Sequence, residues 1–252
     1  MKRISIIVVI FFFAFSCKKN DTPVPVIEIP MGTLEFIASY DLDIPEPSGL
    51  SFGSGSETLL TVSDNTNQVY EIDLEGKIIR MLDYEGKDLE GVTYNPDKDL
   101  IAVVEETDRE VTLLDYSSGN KEGTYKITIP FGADNSGLEG ISYNSNNKFY
   151  YIVNETNPDL MVIWNPDYGI ISEVKLRFAS DYSGIFVDVS QSLLWIVSDQ
   201  SEGLYKCDYS GKVLMSFKLD DIKYEGVVVD NDMVYLVNDA TSNLELYKII
   251  TD

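Results

Sequence analysis

A short phrase built around a glycine occurs five times in this chain, and it constrains the fold more than any other feature. In each copy a serine or glutamate precedes the glycine and an apolar run follows it. The glycines are separated by 42, 49, 44 and 42 residues, which is the repeat length of a four-stranded propeller blade. The pattern therefore predicts one blade per copy. The copies begin at Ser48, Glu90, Glu139, Ser183 and Glu225.

Each phrase is followed by further apolar or alternating segments that short polar turns separate, as in a meander of strands. No window shows sustained helical periodicity, so the sequence predicts an all-β fold. The fifth repeat stops after its third strand, whereas residues 34–42 form a strand with no partner in their own repeat. We expect this strand to close the last blade, giving five four-stranded blades. Six blades are the alternative, and they would need a repeat hidden in a proline-containing segment.

The N-terminus has the form of a lipoprotein signal peptide over residues 1–16. A basic start precedes an apolar run too short to span a membrane, and residues 13–17, FAFSC, resemble a bacterial lipobox. Cys17 is therefore expected to carry lipid and to anchor the protein to a membrane of the bacterial envelope, facing the periplasm or the cell surface. An ordinary cleaved signal is the alternative.

The remaining chain divides into a tether and one domain. Residues 17–32 contain three prolines and no periodicity, which is typical of an extended spacer. Residues 33–252 are long enough for a single all-β domain, the propeller.

Charge and missing residue types exclude several functions. Without the signal peptide, 17 basic residues face 42 acidic ones, a net charge of −25, so we expect no nucleic-acid partner. Cys207 is the one cysteine besides Cys17, so no disulfide forms within the lipidated chain. The chain has no histidine, which excludes histidine-based catalytic triads and histidine-ligated zinc.

Acidic residues recur at two positions of the repeat, directly before the glycine and at the end of the second strand. Because these two strands run antiparallel, both positions lie on one face of the propeller, at the mouth of its channel. Ser48 and Ser183 replace glutamate in two repeats, and Glu46, Asp88 and Asp181 lie two residues upstream of the phrase. The eight candidate metal ligands are Glu90, Glu139, Glu225, Glu105, Glu155, Asp199, Asp239 and Asp64.

Eight carboxylates around one opening repel one another unless some are protonated or a cation lies among them. Calcium accepts irregular sets of oxygen ligands, whereas softer metals prefer the histidine and cysteine that this chain lacks. The sequence thus predicts a divalent cation, calcium or magnesium, as a cofactor, with calcium as the leading candidate. An acidic residue at a strand end also forms local turns, which is the alternative for each residue taken singly.

The glycine phrases read PSGLS at 47–51, DLEGV at 88–92, LEGI at 138–141 and DYSGIFVD at 181–188, and the strand ends read VSDN at 62–65, VNE at 153–155 and VSDQ at 197–200. These phrases and their order resemble those of the SdiA-regulated domain family, and the likeness covers nearly everything from residue 34 onward. That resemblance implies a β-propeller anchored in, or secreted across, a bacterial inner membrane, with metal ions at the channel and no particular reaction. A fainter likeness to phytase-like esterase propellers rests on the same Glu-Gly phrases.

Two functions fit these features best. The first is a lipid-anchored propeller that binds a divalent cation at its acidic channel mouth and recruits a small ligand or an envelope protein there. The alternative is a metal-dependent hydrolase of phosphate or carboxylic esters, in which a carboxylate such as Glu139 or Glu225 acts as a base. A purely structural scaffold is the third hypothesis, and it requires that neither an ion nor a ligand occupies the channel mouth.

Overall fold

The fold is a five-bladed β-propeller. The computed structural model describes residues 29–129, 136–220 and 223–250, and within them twenty strands form five four-stranded antiparallel sheets. The first strands of the five blades adjoin one another around the central axis. This confirms the predicted all-β class and the five blades, and six blades are excluded.

The strands follow the order of the repeats. The first strand, β1 (Thr33–Asp41), belongs to the last blade. Blade one is β2 (Pro47–Phe52), β3 (Thr58–Ser63), β4 (Gln68–Asp73) and β5 (Ile78–Glu85). Blade two is β6 (Leu89–Asn95), β7 (Leu100–Glu105), β8 (Glu110–Asp115) and β9 (Lys121–Lys126). Blade three is β10 (Leu138–Asn144), β11 (Phe149–Asn154), β12 (Leu160–Asn165) and β13 (Gly169–Lys175). Blade four is β14 (Gly184–Asp188), β15 (Leu193–Ser198), β16 (Gly203–Cys207) and β17 (Val213–Lys218). Blade five is β18 (Tyr224–Asp230), β19 (Met233–Asn238) and β20 (Asn243–Ile250), followed by β1.

The two ends of the described chain close the ring. Strand β1 pairs antiparallel with β20, from Thr33 opposite Ile250 to Asp41 opposite Asn243, which confirms the predicted closure. The segment before β1 then continues along the outer edge of blade four. There Gly32 N donates to Ser216 O at 2.8 Å and Ser216 N donates to Pro30 O at 3.0 Å. The last residues of the segment predicted as a tether thus pair with β17.

The predicted signal peptide and Cys17 lie outside the described residues. Nowhere in the described part of the chain is there a helix with the length and apolarity that crossing a bilayer requires.

The hydrophobic core lies between adjacent blades rather than at the axis. Five apolar clusters each combine side chains of two neighbouring blades. Between blades four and five, for example, Trp195 and Phe217 belong to the same buried cluster as Tyr224 and Val227. Burial of this apolar area is the main force that holds the ring together.

The five repeated glycines lie where neighbouring inner strands approach each other most closely. A Cβ added at Gly91 would lie 2.3 Å from the backbone oxygen of Glu139, and one at Gly226 would lie 2.5 Å from the carbonyl carbon of Gly49. The same holds at Gly140 and Gly184, whose added Cβ atoms would come within 2.8 Å of the next blade's backbone. A residue with a side chain does not fit at these positions.

This packing predicts different costs for two glycine-to-alanine substitutions. Gly91→Ala places a methyl group against backbone that cannot move aside, and we expect it to cost about 3 kcal/mol or more. Gly169 has a positive φ of 75° but open space around it, so Gly169→Ala is expected to cost about 1 kcal/mol through backbone strain alone. Thermal unfolding should therefore show a several-fold larger loss of Tm for Gly91→Ala. Equal losses would contradict the account of the inner ring.

Candidate metal site

An acidic cavity of about 220 Å³ lies at one mouth of the propeller channel. Among the described residues that line it, ten carry a carboxylate and one carries an ammonium group. The lining residues are Glu46, Ser48, Asp64, Glu90, Glu106, Glu139, Glu155, Asp181, Ser183, Asp199, Lys223, Glu225 and Asp239.

Backbone pairing explains why these residues converge. The residue that follows the second strand of a blade donates its N–H to the residue three positions before the glycine, as Glu106 N does to Asp88 O at 2.9 Å and Glu155 N to Gly137 O at 3.0 Å. Side chains at the end of the second strand therefore lie beside the residue that precedes the glycine. Seven of the eight predicted ligands line the cavity in this way, and metal binding by them stays a prediction.

The placement predicted for Glu105 is wrong. Its side chain is buried away from the cavity, where Oε1 accepts from Tyr84 Oη at 2.7 Å and from Thr112 Oγ1 at 2.9 Å. Successive side chains of a strand point in opposite directions, so the next residue, Glu106, lies at the cavity instead. A constant spacing would have found it, because Glu106 follows Gly91 by 15 residues, as Asp64, Glu155 and Asp199 follow the glycines of their own repeats.

The two serines of the ring join neighbouring blades. Ser48 Oγ donates to the backbone oxygen of Glu90 at 2.7 Å, and Ser183 Oγ donates to the backbone oxygen of Tyr224 at 2.8 Å. These hydroxyl groups satisfy carbonyls of the next inner strand. The acidic chemistry of the ring therefore comes from the glutamates of blades two, three and five.

Like Asp181, Glu139 is a buried carboxylate of the cavity. It is 7% exposed, and no described residue forms a hydrogen bond or an ion pair with its carboxylate. Its ligand atom lies within 4.8 Å of those of Glu106 and Glu155, and Glu106 Oε1 also accepts from Gly137 N at 2.9 Å. We call Glu106, Glu139 and Glu155 the deep triad.

A second group of three carboxylates lies on the neighbouring wall. Asp64, Asp88 and Glu90 bring their ligand atoms within 4.8 Å of one another. In this group Asp88 Oδ2 also accepts from the backbone N–H of Thr107 at 3.0 Å. This group is less buried than the deep triad.

Burial raises the pKa of every cavity carboxylate for which a shift is resolved, and the other carboxylates add to the effect. Glu90 and Glu139 have pKa values well above the usual 4.5, first through desolvation and then through neighbouring carboxylates. Burial raises the pKa of Glu225 to about 7, although the nearby Lys223 ammonium opposes the shift. Removing charged carboxylates from water and placing them side by side both favour the protonated form. The remaining pKa values raised chiefly by burial are those of Asp64, Glu106, Glu155, Asp181 and Asp239.

On the wall formed by blades four and five, the ammonium group of a lysine partly neutralises the carboxylates. Lys223 Nζ lies 3.4 Å from Asp199 Oδ2 and 3.6 Å from Glu225 Oε1. Burial lowers the pKa of Lys223, but the carboxylates of Glu225 and Asp199 outweigh it and raise the value to about 12. Asp181 accepts from Ser198 Oγ and, at 3.1 Å, from Gln200 N.

Lys223 was not predicted from the sequence, although its position carried a signal. It lies three residues before a repeated glycine, where three other blades have Glu46, Asp88 and Asp181. Another cation, the buried Arg109, donates to Asn154 Oδ1 at 2.9 Å and to Ser136 O at 2.7 Å.

Comparison with known proteins agrees with this architecture. A family model described as SdiA-regulated matches residues 41–241. The crystal structure of Myxococcus xanthus glutaminyl cyclase superposes with a TM-score of 0.69 at 12% identity, over 89% of this chain and 100% of that one. A chain of the mitotic checkpoint complex gives a TM-score of 0.52 at 14% identity, over 81% of this chain and 61% of that one. At such identities the likeness shows the fold alone. The search of curated proteins gave no match.

The raised pKa values predict how stability depends on pH when no divalent cation is present. A carboxyl group with a raised pKa in the folded state binds more protons there than in the unfolded chain, so the stability it contributes is lost as pH rises. For Glu225 the window runs from its usual 4.5 to about 7. We therefore expect Tm, measured with a chelator, to fall between pH 5 and pH 8, and Glu139→Gln to reduce the fall. A Tm that rises over this range would contradict the electrostatic account.

Proposed function

The chain belongs to the SdiA-regulated family. We propose that its propeller binds a divalent cation, with calcium as the leading candidate, in the deep triad and presents it to a ligand at the bacterial envelope. The observation that carries the proposal is the carboxylate of Glu139. It is buried, it has no hydrogen-bond or ion-pair partner among the described residues, and it lies beside two further carboxylates. Such a group needs either a proton or a cation.

The deep triad fits calcium better than other ions. Calcium binds six to eight oxygen atoms at about 2.4 Å, so two oxygens bound to one ion lie at most about 4.8 Å apart. The three ligand atoms meet this limit. Water or a ligand would supply the remaining positions, and the open cavity has room for them. Magnesium demands a more regular octahedron, and zinc prefers nitrogen and sulfur ligands.

Neighbouring glutamates provide a matched test of the cation site. We expect Glu106→Gln to weaken calcium binding at least about tenfold, because it removes a charged ligand. Glu105→Gln alters the adjacent residue, whose side chain faces Tyr84 and Thr112, and should leave calcium affinity unchanged. The measurement is calorimetric titration of calcium into the chelator-treated full chain in detergent at pH 8.

Three outcomes separate the possible functions. Calcium binding that raises Tm without turnover supports the proposal. Turnover of a phosphoester or carboxylic ester in the same calcium solutions would favour the hydrolase, with Glu225 as the base because its pKa of about 7 suits proton transfer near neutral pH. No calcium uptake, or equal losses in Glu106→Gln and Glu105→Gln, would refute the cation site.

We also propose that lipid on Cys17 holds the propeller at the membrane. The described chain begins along the outer edge of blade four, so a tether from Cys17 would attach there. In cells fed an alkyne-bearing palmitate, the wild-type chain should be labelled and Cys17→Ala should lose the label. Cys207→Ala is the matched control, because Cys207 is buried in the propeller, and it should keep the label. Labelling of Cys17→Ala would contradict the anchor.

A further inference from the structure

A second cavity lies at the mouth of the channel opposite the acidic one. It forms where the first strands of the blades end, and its volume of about 350 Å³ lies at the lower end of the range for small-molecule sites. Serines and a threonine line it together with four aromatic side chains. The aromatic residues are Phe52, Tyr94, Tyr143 and Phe186.

Two of the aromatic rings meet across the central axis. Phe52 and Phe186 contact each other edge to face, with ring centroids 5.9 Å apart. They belong to blades one and four, which are not neighbours in the ring. The contact therefore places aromatic surface, rather than carboxylates, across the channel at this end.

One charged residue, Asp188, lines this cavity among the residues that the structure describes. It is 6% exposed, and its Oδ1 accepts from Ser190 Oγ at 2.7 Å and from Gln191 N at 3.0 Å. Its other oxygen, Oδ2, has no donor among the described residues, and no described lysine or arginine forms an ion pair with it. A buried carboxylate without a positive partner favours a cationic ligand.

The two tyrosines also favour a positive charge. Tyr94 Oη donates to Asp99 Oδ1 at 2.8 Å, and no described lysine or arginine pairs with that carboxylate. Tyr143 Oη donates to Asp97 Oδ2 at 2.8 Å, although Lys148 neutralises this second carboxylate. Aromatic rings attract cations through their electron-rich faces, and an unneutralised carboxylate beyond a ring adds to the attraction.

We propose that this cavity binds a small organic ammonium ion that carries an oxygen acceptor, with the positive group between the aromatic rings and Asp188. The hydroxyl groups of Thr93 and Ser142 accept backbone hydrogen bonds at 3.1 Å and 2.9 Å. Neither hydroxyl hydrogen has an acceptor among the described residues, so both can donate to an oxygen of the ligand. A calcium ion needs six to eight oxygen ligands, which aromatic walls do not supply. The site is independent of the proposed calcium site.

Choline and its uncharged isostere 3,3-dimethylbutan-1-ol test the inference, because they share a hydroxyl group and a shape but differ in charge. We expect the full chain, in detergent with a chelator at pH 8, to bind choline at least about fivefold more tightly than the isostere. The measurement is calorimetric titration of each compound. Equal affinities, or no binding of choline, would overturn the inference.

Two aspartates at equivalent positions provide a matched pair of variants. Asp188 and Asp230 end the first strands of blades four and five, but Asp230 is exposed. Asp188→Asn keeps an acceptor for the turn and removes the charge, so it should weaken choline binding at least about fivefold and leave the isostere unaffected. Asp230→Asn should bind choline as the wild type does. Equal effects of the two substitutions would contradict the site.

A second variant decides the question if Asp188→Asn does not fold. Phe52→Leu keeps an apolar side chain but removes a ring. It should reduce the preference for choline over the isostere, and an unchanged preference would overturn the inference.

The acidic cavity at the other mouth also attracts cations, so the experiment must separate the two sites. Glu139→Gln alters the acidic cavity and should leave choline affinity unchanged. Loss of choline binding in Glu139→Gln but not in Asp188→Asn would assign choline to the acidic cavity and overturn the inference. Calcium titration of the wild type tests the deep triad separately, so either proposal can fail while the other stands.

Discussion

The close approach of the five inner strands at their glycines is the constraint on which the rest of the structure depends. Where a Cβ added at Gly91 would come within 2.3 Å of the next strand's backbone, the strands meet with no side chain between them. The residues directly before the glycines are then forced into one ring around the channel mouth. Glutamates at this position cannot avoid one another, because the packing that closes the propeller also concentrates their charge. The apolar clusters between blades supply the stability that offsets this repulsion.

The two sides of the cavity meet that repulsion differently. In blades four and five, groups of the chain itself reduce the repulsion between carboxylates. These groups are the ammonium of Lys223 and the donors of the hydrogen bonds that Asp181 and Asp199 accept. Blades two and three leave the Glu139 carboxylate buried and without such a partner among the described residues. A site of this kind is stabilised from outside, by protons at low pH or by a cation at neutral pH. Binding and stability are thus coupled in the same carboxylates, as is common at functional sites.

The fold could be predicted from the sequence for two reasons. Glycine is obligatory at the strand contacts, so the repeat length stays visible in the sequence. The strand at 34–42 has no partner in its own repeat, and the incomplete last blade offers an edge with which it can pair. The family was predicted from the same phrases, and the match over residues 41–241 confirms it. It was harder to predict which charged side chains face the cavity. Glu105 and Glu106 differ by one position along the chain but face opposite sides of a strand, and an apolar run does not show where its strand ends. Lys223 was missed because a search for acidic residues does not reveal the cation that neutralises them. Pairing of Gly32 with β17 uses backbone atoms alone, so no side-chain pattern marks it.

The central claim is that the cavity holds a divalent cation at Glu106, Glu139 and Glu155. Anomalous diffraction from crystals soaked in a manganese or terbium salt, which substitute for calcium at oxygen sites, tests it most directly. The account predicts an anomalous peak about 2.4 Å from carboxylate oxygens of all three residues. A cavity without an anomalous peak at neutral pH, with the Glu139 carboxyl group donating a hydrogen bond to a neighbouring carboxylate, would contradict it.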